Sequence, residues 1–149
     1  MRQVPDWTSY FLDLARTTAS RSKDPKTQVG AVIVNDDGRI IAQGYNGMVA
    51  GAFDTANGWA AKDRLVIHAE ENAIANAARC GASTLGATIY VTIAPCHRCM
   101  RLIAASGIRH VVFDNQATQA RLEEKPERGD SHHLSFELAL RANITWSAK

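Results

Sequence analysis

Apolar residues recur at every third or fourth position near the start of the chain, which is the period of one helix face. This spacing predicts a helix over residues 7–21, with Asp6 as its N-terminal cap. The apolar positions that carry the pattern are Trp7, Tyr10, Phe11, Leu14 and Ala15.

The next apolar stretch has the character of a β-hairpin. Residues 29–34 are rich in β-branched side chains, residues 35–38 have turn chemistry, and residues 39–45 resume the strand pattern. Residues 46–58 are rich in Gly, Ala and Asn, and they are predicted to form a loop of the kind that carries function.

Helices and strands alternate after the hairpin. The pattern predicts a helix within 65–80, a strand over 87–93, a helix over 96–106 and a strand over 109–113. Residues 114–133 are polar and poorly periodic and are predicted to be a loop, followed by a helix over 134–141 and a short strand over 143–146. This order predicts an α/β fold, with helices on both faces of a mixed sheet.

Length and charge narrow the classes of function. A chain of 149 residues suits one domain spanning 1–149. The net charge of +2 is too small to imply binding to nucleic acid or to a membrane surface by bulk electrostatics. Residues 1–10 lack the apolar core of a signal peptide, and no apolar run approaches the ~20 residues of a membrane span, so a cytoplasmic protein is expected.

The cysteines indicate a metal or redox site rather than a disulfide framework. There are three, Cys80, Cys96 and Cys99, and the last two form a C-x-x-C pair at a predicted helix start, where thiolates are stabilised. With His68 they make a ligand set that zinc prefers. A redox pair or half of a structural zinc site is the alternative, although no second C-x-x-C or H-x-x-x-H exists to complete a closed site.

Three protein ligands leave one zinc position for water, which is the arrangement of a catalytic site. Bound zinc lowers the pKa of that water to about 7. Glu70 lies two residues after His68 in the first turn of the predicted helix, where both side chains can lean towards one cavity. Its carboxylate is therefore a candidate to take a proton from the water and deliver it to the substrate.

The residues around these ligands match a known signature. His68-Ala69-Glu70 followed by Pro95-Cys96-His97-Arg98-Cys99 fits the H-x-E…P-C-x-x-C pattern of zinc nucleobase deaminases. The chain resembles the cytidine/deoxycytidylate deaminase superfamily, and within it the deoxycytidylate (dCMP) branch. Besides the signature, the segments that match are 21–25, 28–34, 44–47, 68–74, 90–96 and 106–112.

This resemblance implies a three-layer α/β/α fold around a mixed five-stranded sheet. It implies hydrolytic conversion of dCMP to dUMP with release of ammonia, by a homo-oligomer. It further implies that His68, Cys96 and Cys99 hold zinc and that Glu70 is the proton shuttle.

The resemblance also implies residues that contact substrate. Asn46 is expected to hydrogen-bond the substrate near its sugar or base, and Ser22 and Lys23 are candidates for the 5′-phosphate. A phosphate site needs positive, donor-rich groups, which residues 21–23 supply. Residues 22 and 23 also suit the plain end of a helix, where a basic side chain complements the dipole.

Two segments depart from the family pattern. Residues 48–54 lack the usual proline and have Ala52 where cysteine often stands, and residues 114–133, which include His132 and His133, match poorly. These departures leave open another substrate, such as cytosine, cytidine, a guanine-type base or a modified nucleotide. A non-catalytic, zinc-stabilised binding module is the third reading, and a tRNA adenosine deaminase is disfavoured by the small net charge.

Overall fold

The computed structural model describes residues 1–52 and 59–149, and only the backbone of residues 62 and 63. Its strands are β1 (Gly30–Val34), β2 (Ile40–Tyr45), β3 (Gly47–Met48), β4 (Val66–Ile67), β5 (Thr88–Val91), β6 (His110–Phe113) and β7 (Thr145–Ala148). Its helices are α1 (Trp7–Ala19), α2 (Lys62–Leu65), α3 (Ala69–Arg79), α4 (His97–Ala105), α5 (Asn115–Glu124) and α6 (Gly129–Arg141), with a 3₁₀ turn at Pro126–Arg128.

Five strands form the main sheet in the order β2-β1-β5-β6-β7. β1 is antiparallel to both β2 and β5, whereas β5, β6 and β7 are parallel. The predicted hairpin and the mixed sheet are therefore confirmed. The loop predicted over 46–58 is wrong at Gly47–Met48, which pairs with Val66–Ile67 in a small second sheet, and its residues 53–58 lie outside the described residues.

Helices cover both faces of the main sheet, which confirms the predicted α/β/α layers. Every residue of β1 is buried, because alternate side chains pack against opposite layers. On one face Val32 and Val34 pack with Phe11 and Ala15 of α1. On the other face the core contains Ala31, Ile33, Ala73, Met100, Ile103 and Ala139, which join the sheet to α3, α4 and α6. Among the described residues, no helix is long and apolar enough to cross a membrane.

The loop predicted over 114–133 is wrong, because α5, the 3₁₀ turn and the start of α6 occupy it. α5 carries few apolar side chains, so it has no stripe for sequence periodicity to detect. Its start is fixed by Asp114, whose Oδ1 accepts from the Ala117 N–H at 2.9 Å and whose Oδ2 accepts from Arg16 of α1 at 2.6 Å. Burial alone raises the pKa of Asp114, but these two partners hold it below the usual range.

Gly44 allows α3 to lie directly on β2. A Cβ at this position would collide with the backbone of Ala69 and Ala73. Two α3 side chains complete the contact, since Asn72 Nδ2 donates to the Tyr45 carbonyl and Asn76 Nδ2 to the Gln43 carbonyl, both at 2.9 Å. The start of α3 is thereby fixed against the sheet.

We expect Gly44→Ala to reduce the free energy of unfolding by about 1–3 kcal/mol, because the added methyl forces α3 away from β2. Urea unfolding measures the change. Gly129→Ala is the matched control, since, apart from its chain neighbours and its own helix backbone, no described atom lies within 4 Å of the added Cβ. Equal midpoints for Gly44→Ala and the wild type would contradict the close packing.

Candidate active site

Two helices begin at the same place in the molecule. His68 precedes α3 and Cys96 precedes α4, and both have extended backbone, with ψ of 161° and 167°. Cys99 follows in the first turn of α4 and is fully buried. These two helix starts bring together the three residues that the sequence predicts as zinc ligands.

The three donor atoms lie within 4.8 Å of one another. His68 Nδ1 is 3.2 Å from Cys99 Sγ and 3.6 Å from Cys96 Sγ. Ordinary zinc–nitrogen and zinc–sulfur bonds at a tetrahedral angle would place nitrogen and sulfur roughly 3.6 Å apart. The donor set therefore fits one zinc ion in both chemistry and spacing.

The electrostatics of the cluster also suit a cation. A hydrogen bond from the Cys99 thiol, helped by His68, lowers the pKa of Cys96 to about 3. The same hydrogen bond, together with burial, raises the pKa of Cys99. Hydrogen bonding to Cys96 raises the pKa of His68 to about 9. The sulfurs thus share one proton around a stabilised negative charge, where a metal ion can take the place of the proton.

Glu70 lies beside this cluster, where the sequence expects it. Its side chain is only 4% exposed, and it lines the same cavity as His68 and Cys96. Burial raises the pKa of Glu70 to about 7, with His68 opposing the shift and Cys96 adding to it. A carboxyl group in this setting can both accept and release a proton near neutral pH.

Glu71 contacts both helix starts, and the sequence analysis did not single it out. Its Oε2 accepts from the His68 backbone N–H at 2.7 Å. Its Oε1 lies 3.8 Å from a guanidinium nitrogen of Arg98, a residue that lies between the two cysteines in the sequence. The signal was present, because a glutamate three residues after a helix cap is half of a capping box.

A cavity of about 290 Å³ opens onto Glu70 and the metal donors. Asn46 lines it and is 6% exposed. Its Oδ1 accepts from the Val29 N–H at 2.7 Å, and its Nδ2 donates to the Thr27 carbonyl at 2.9 Å and to Asp24 Oδ2 at 3.3 Å. Both amide hydrogens are therefore used, and Asn46 offers a ligand only an acceptor position on Oδ1.

Ser22 and Lys23 do not line this cavity. Ser22 Oγ donates to the backbone carbonyl of Asn46 at 2.7 Å, so Ser22 contacts Asn46 rather than the cavity. Lys23 lines a separate pocket of about 110 Å³ together with Arg21 and Trp59. The structure thus brings Asn46 to the metal donors and places the two predicted phosphate residues elsewhere.

Three cavity residues come from residues 114–133, the segment that the sequence predicts to be a loop. Arg121 belongs to α5, Arg128 to the 3₁₀ turn and His132 to α6, and all three line the cavity. Burial lowers the pKa of His132, and the charge of Arg128 lowers it further, while Cys96 opposes. His132 and His133 fall in the predicted loop over 114–133, but both belong to α6, where His132 is half-buried in the site and His133 is exposed.

Comparison with known proteins identifies the family. The family model for the cytidine and deoxycytidylate deaminase zinc-binding region matches residues 5–115. The chain belongs to this family. Its members are zinc-dependent hydrolytic deaminases, and the zinc expected from the sequence is the metal that this region binds.

Relatives of this deaminase agree in sequence and in fold. The deoxycytidylate deaminase of Pongo abelii is 41% identical over 132 residues, covering 78% of this chain and 73% of that protein. The deoxycytidylate deaminase of Mycobacterium phage D29 is 39% identical over 130 residues, covering 76% of this chain and 98% of that protein. The dCMP deaminase of cyanophage S-TIM5, solved with dCMP and dUMP, shares the fold, with a TM-score of 0.76, 21% identity and coverage of 99% and 100%.

We expect the purified deaminase to contain about one zinc ion per chain, and Cys96→Ala and His68→Ala to lose most of it, because two donors cannot hold the ion against competing water. Plasma emission spectrometry measures the content. Cys80→Ala is the control, since Cys80 is an exposed free thiol outside the cluster. Full zinc content in both ligand variants would place the metal elsewhere.

Proposed function

We propose that this deaminase converts dCMP to dUMP and ammonia, with His68, Cys96 and Cys99 holding zinc and Glu70 moving the protons. The observation that carries the proposal is the buried carboxyl of Glu70 in the same cavity as the metal donors. The curated relatives named deoxycytidylate deaminase support dCMP as the substrate.

The reaction balances through one water molecule. The water oxygen bonds to C4 of cytosine, the bond from C4 to the amino nitrogen breaks, and the two water hydrogens end on N3 and on the departing ammonia. Zinc held by these donors supplies the Lewis acidity that activates water at neutral pH. The Glu70 carboxylate accepts a proton from the water and passes it to the pyrimidine and its leaving group.

We expect Asn46 to contact the substrate and Ser22 to position Asn46. Asn46 Oδ1, already an acceptor for Val29, has one position left to accept from a substrate hydroxyl or amino group. Ser22 acts through its hydrogen bond to the Asn46 carbonyl. Lys23 lines the separate pocket, so its contact with phosphate stays a prediction.

Glu70→Gln should lower kcat/KM for dCMP by at least ~100-fold while zinc content stays at the wild-type level, because the amide cannot carry a proton. Loss of the cytosine absorbance measures turnover. Glu137→Gln makes the same chemical change on the partly exposed outer side of α6 and should keep full activity.

Two results would remove this proposal. One is full activity in Glu70→Gln with zinc bound. The other is a zinc-loaded wild type that leaves dCMP intact but deaminates cytosine, cytidine or guanine in the same assay, which would keep the chemistry and change the substrate.

We also propose that the enzyme is a cytoplasmic homo-oligomer. The described cysteines are free thiols, which suits a reducing compartment. On α6, Phe136 and Leu140 are one helical turn apart and are 43% and 64% exposed, an apolar strip that suits a subunit contact.

Sedimentation equilibrium should therefore give a mass that is a multiple of 16.2 kDa. Leu140→Glu should shift it towards the single chain, because a carboxylate would be buried at the contact. Val4→Glu, at another exposed apolar position before α1, is the control. A single-chain mass for the wild type would refute the oligomer.

A further inference from the structure

One wall of the substrate cavity is built by residues beyond the family match, which ends at residue 115. This wall carries Arg121, Arg128 and His132, contributed by α5, the 3₁₀ turn and α6 in succession. Among the residues that the structure describes, the acidic ones that line the cavity are Asp24 and Glu70. The segment beyond the match therefore brings two guanidinium groups and an imidazole to the cavity. The other charged residues described in the cavity lining belong to the metal site or to the loop before β1.

Arg121 is buried to a degree that is unusual for arginine. Its side chain is 7% exposed, and its Nη1 donates to Glu124 Oε2 at 2.7 Å, a partner that is itself 62% exposed. A guanidinium has five N–H donors in a planar fork. Within the described part of the chain, the side-chain acceptor that these donors contact is Glu124. The remaining donors are available to an anion inside the cavity.

His132 adds a second observation that points to a ligand. Its Nδ1 is buried, and within 1–52 and 59–149 it has no hydrogen-bond partner. An unpaired buried polar atom costs about 1–3 kcal/mol, and a ligand in the cavity would remove that cost. Thr27 Oγ1, which also belongs to a cavity-lining residue, is in the same condition. The cavity thus contains buried polar atoms that the described residues do not satisfy.

We propose that Arg121, Arg128 and His132 form a phosphate subsite that binds the 5′-phosphate of the substrate and makes the enzyme prefer a nucleotide to its nucleoside. This inference rests on the proposed function. Two guanidinium charges match a phosphate monoester of charge close to −2, and guanidinium groups bind phosphate oxygens in pairs. His132 donates through Nδ1 in the tautomer that protonates that nitrogen.

This assignment differs from the one that the sequence suggested. Lys23 lies in the smaller pocket and Ser22 is engaged with the Asn46 carbonyl, whereas the phosphate subsite shares a cavity with Glu70 and the metal donors. A nucleotide has its phosphate and its reacting base in one molecule. Cations in the same cavity are therefore placed to recognise it.

The test compares dCMP with deoxycytidine. Arg128→Gln and Arg121→Gln should each lower kcat/KM for dCMP roughly 10- to 100-fold, mainly through KM, because each removes charge-assisted hydrogen bonds to phosphate. The value for deoxycytidine should stay near that of the wild type. Arg128 is exposed and should be replaceable without loss of folding, which protects the test if buried Arg121→Gln is unstable. His132→Asn should give a smaller loss of the same kind.

Two controls distinguish this subsite from a general effect of positive charge and from a phosphate contact at Lys23. Arg141→Gln removes one positive charge from the exposed end of α6 and should leave the dCMP-to-deoxycytidine ratio unchanged. Lys23→Gln should also leave it unchanged. The subsite is overturned if Arg128→Gln keeps the wild-type ratio, if both substrates fall together, or if Lys23→Gln alone lowers the ratio.

Calorimetric binding of dUMP and deoxyuridine makes the result independent of turnover. Tighter binding of dUMP by the wild type, lost in Arg128→Gln, supports the subsite even if dCMP is not deaminated, in which case only the proposed function fails. Equal affinity of the wild type for dUMP and deoxyuridine, or binding of neither, overturns the subsite.

Discussion

The site depends on holding three soft donor atoms within 4.8 Å of one another at the starts of two separate helices. An imidazole and two sulfurs so close together bind a cation, but the backbone must first be fixed to bring them there. Packing of α3 onto Gly44 fixes one helix start against the sheet. The Glu71 carboxylate, between the His68 N–H and the Arg98 guanidinium, ties that start to the other.

The cavity is lined by two parts of the chain, one within the family match and one beyond it. The part that matches the family supplies the zinc donors, the buried carboxyl of Glu70 and the acceptor of Asn46. The part beyond residue 115 supplies Arg121, Arg128 and His132. The candidate zinc donors and the cations proposed to bind phosphate therefore lie on different elements of the fold.

The success of sequence reasoning followed the strength of the physical signal in each element. β1 is buried on both faces, and its continuous β-branched run was detectable for that reason. α5 has few apolar residues and depends on its N-terminal cap, Asp114. That side chain also pairs with Arg16, which is 98 positions away in the sequence. Such a helix has no periodic pattern, so the polar segment 114–133 was wrongly predicted to be a loop.

By itself, the sequence predicted the candidate metal donors, the carboxyl beside them and the layered α/β fold, because these follow from local spacing and side-chain chemistry. Only the tertiary structure decided which cations face the reacting groups. It placed Lys23 in a separate pocket and brought Arg121 and His132 to the cavity. The reason is that cavity walls are made by contacts between distant segments, and neither the charge of a residue nor its neighbours in sequence record which cavity its side chain lines.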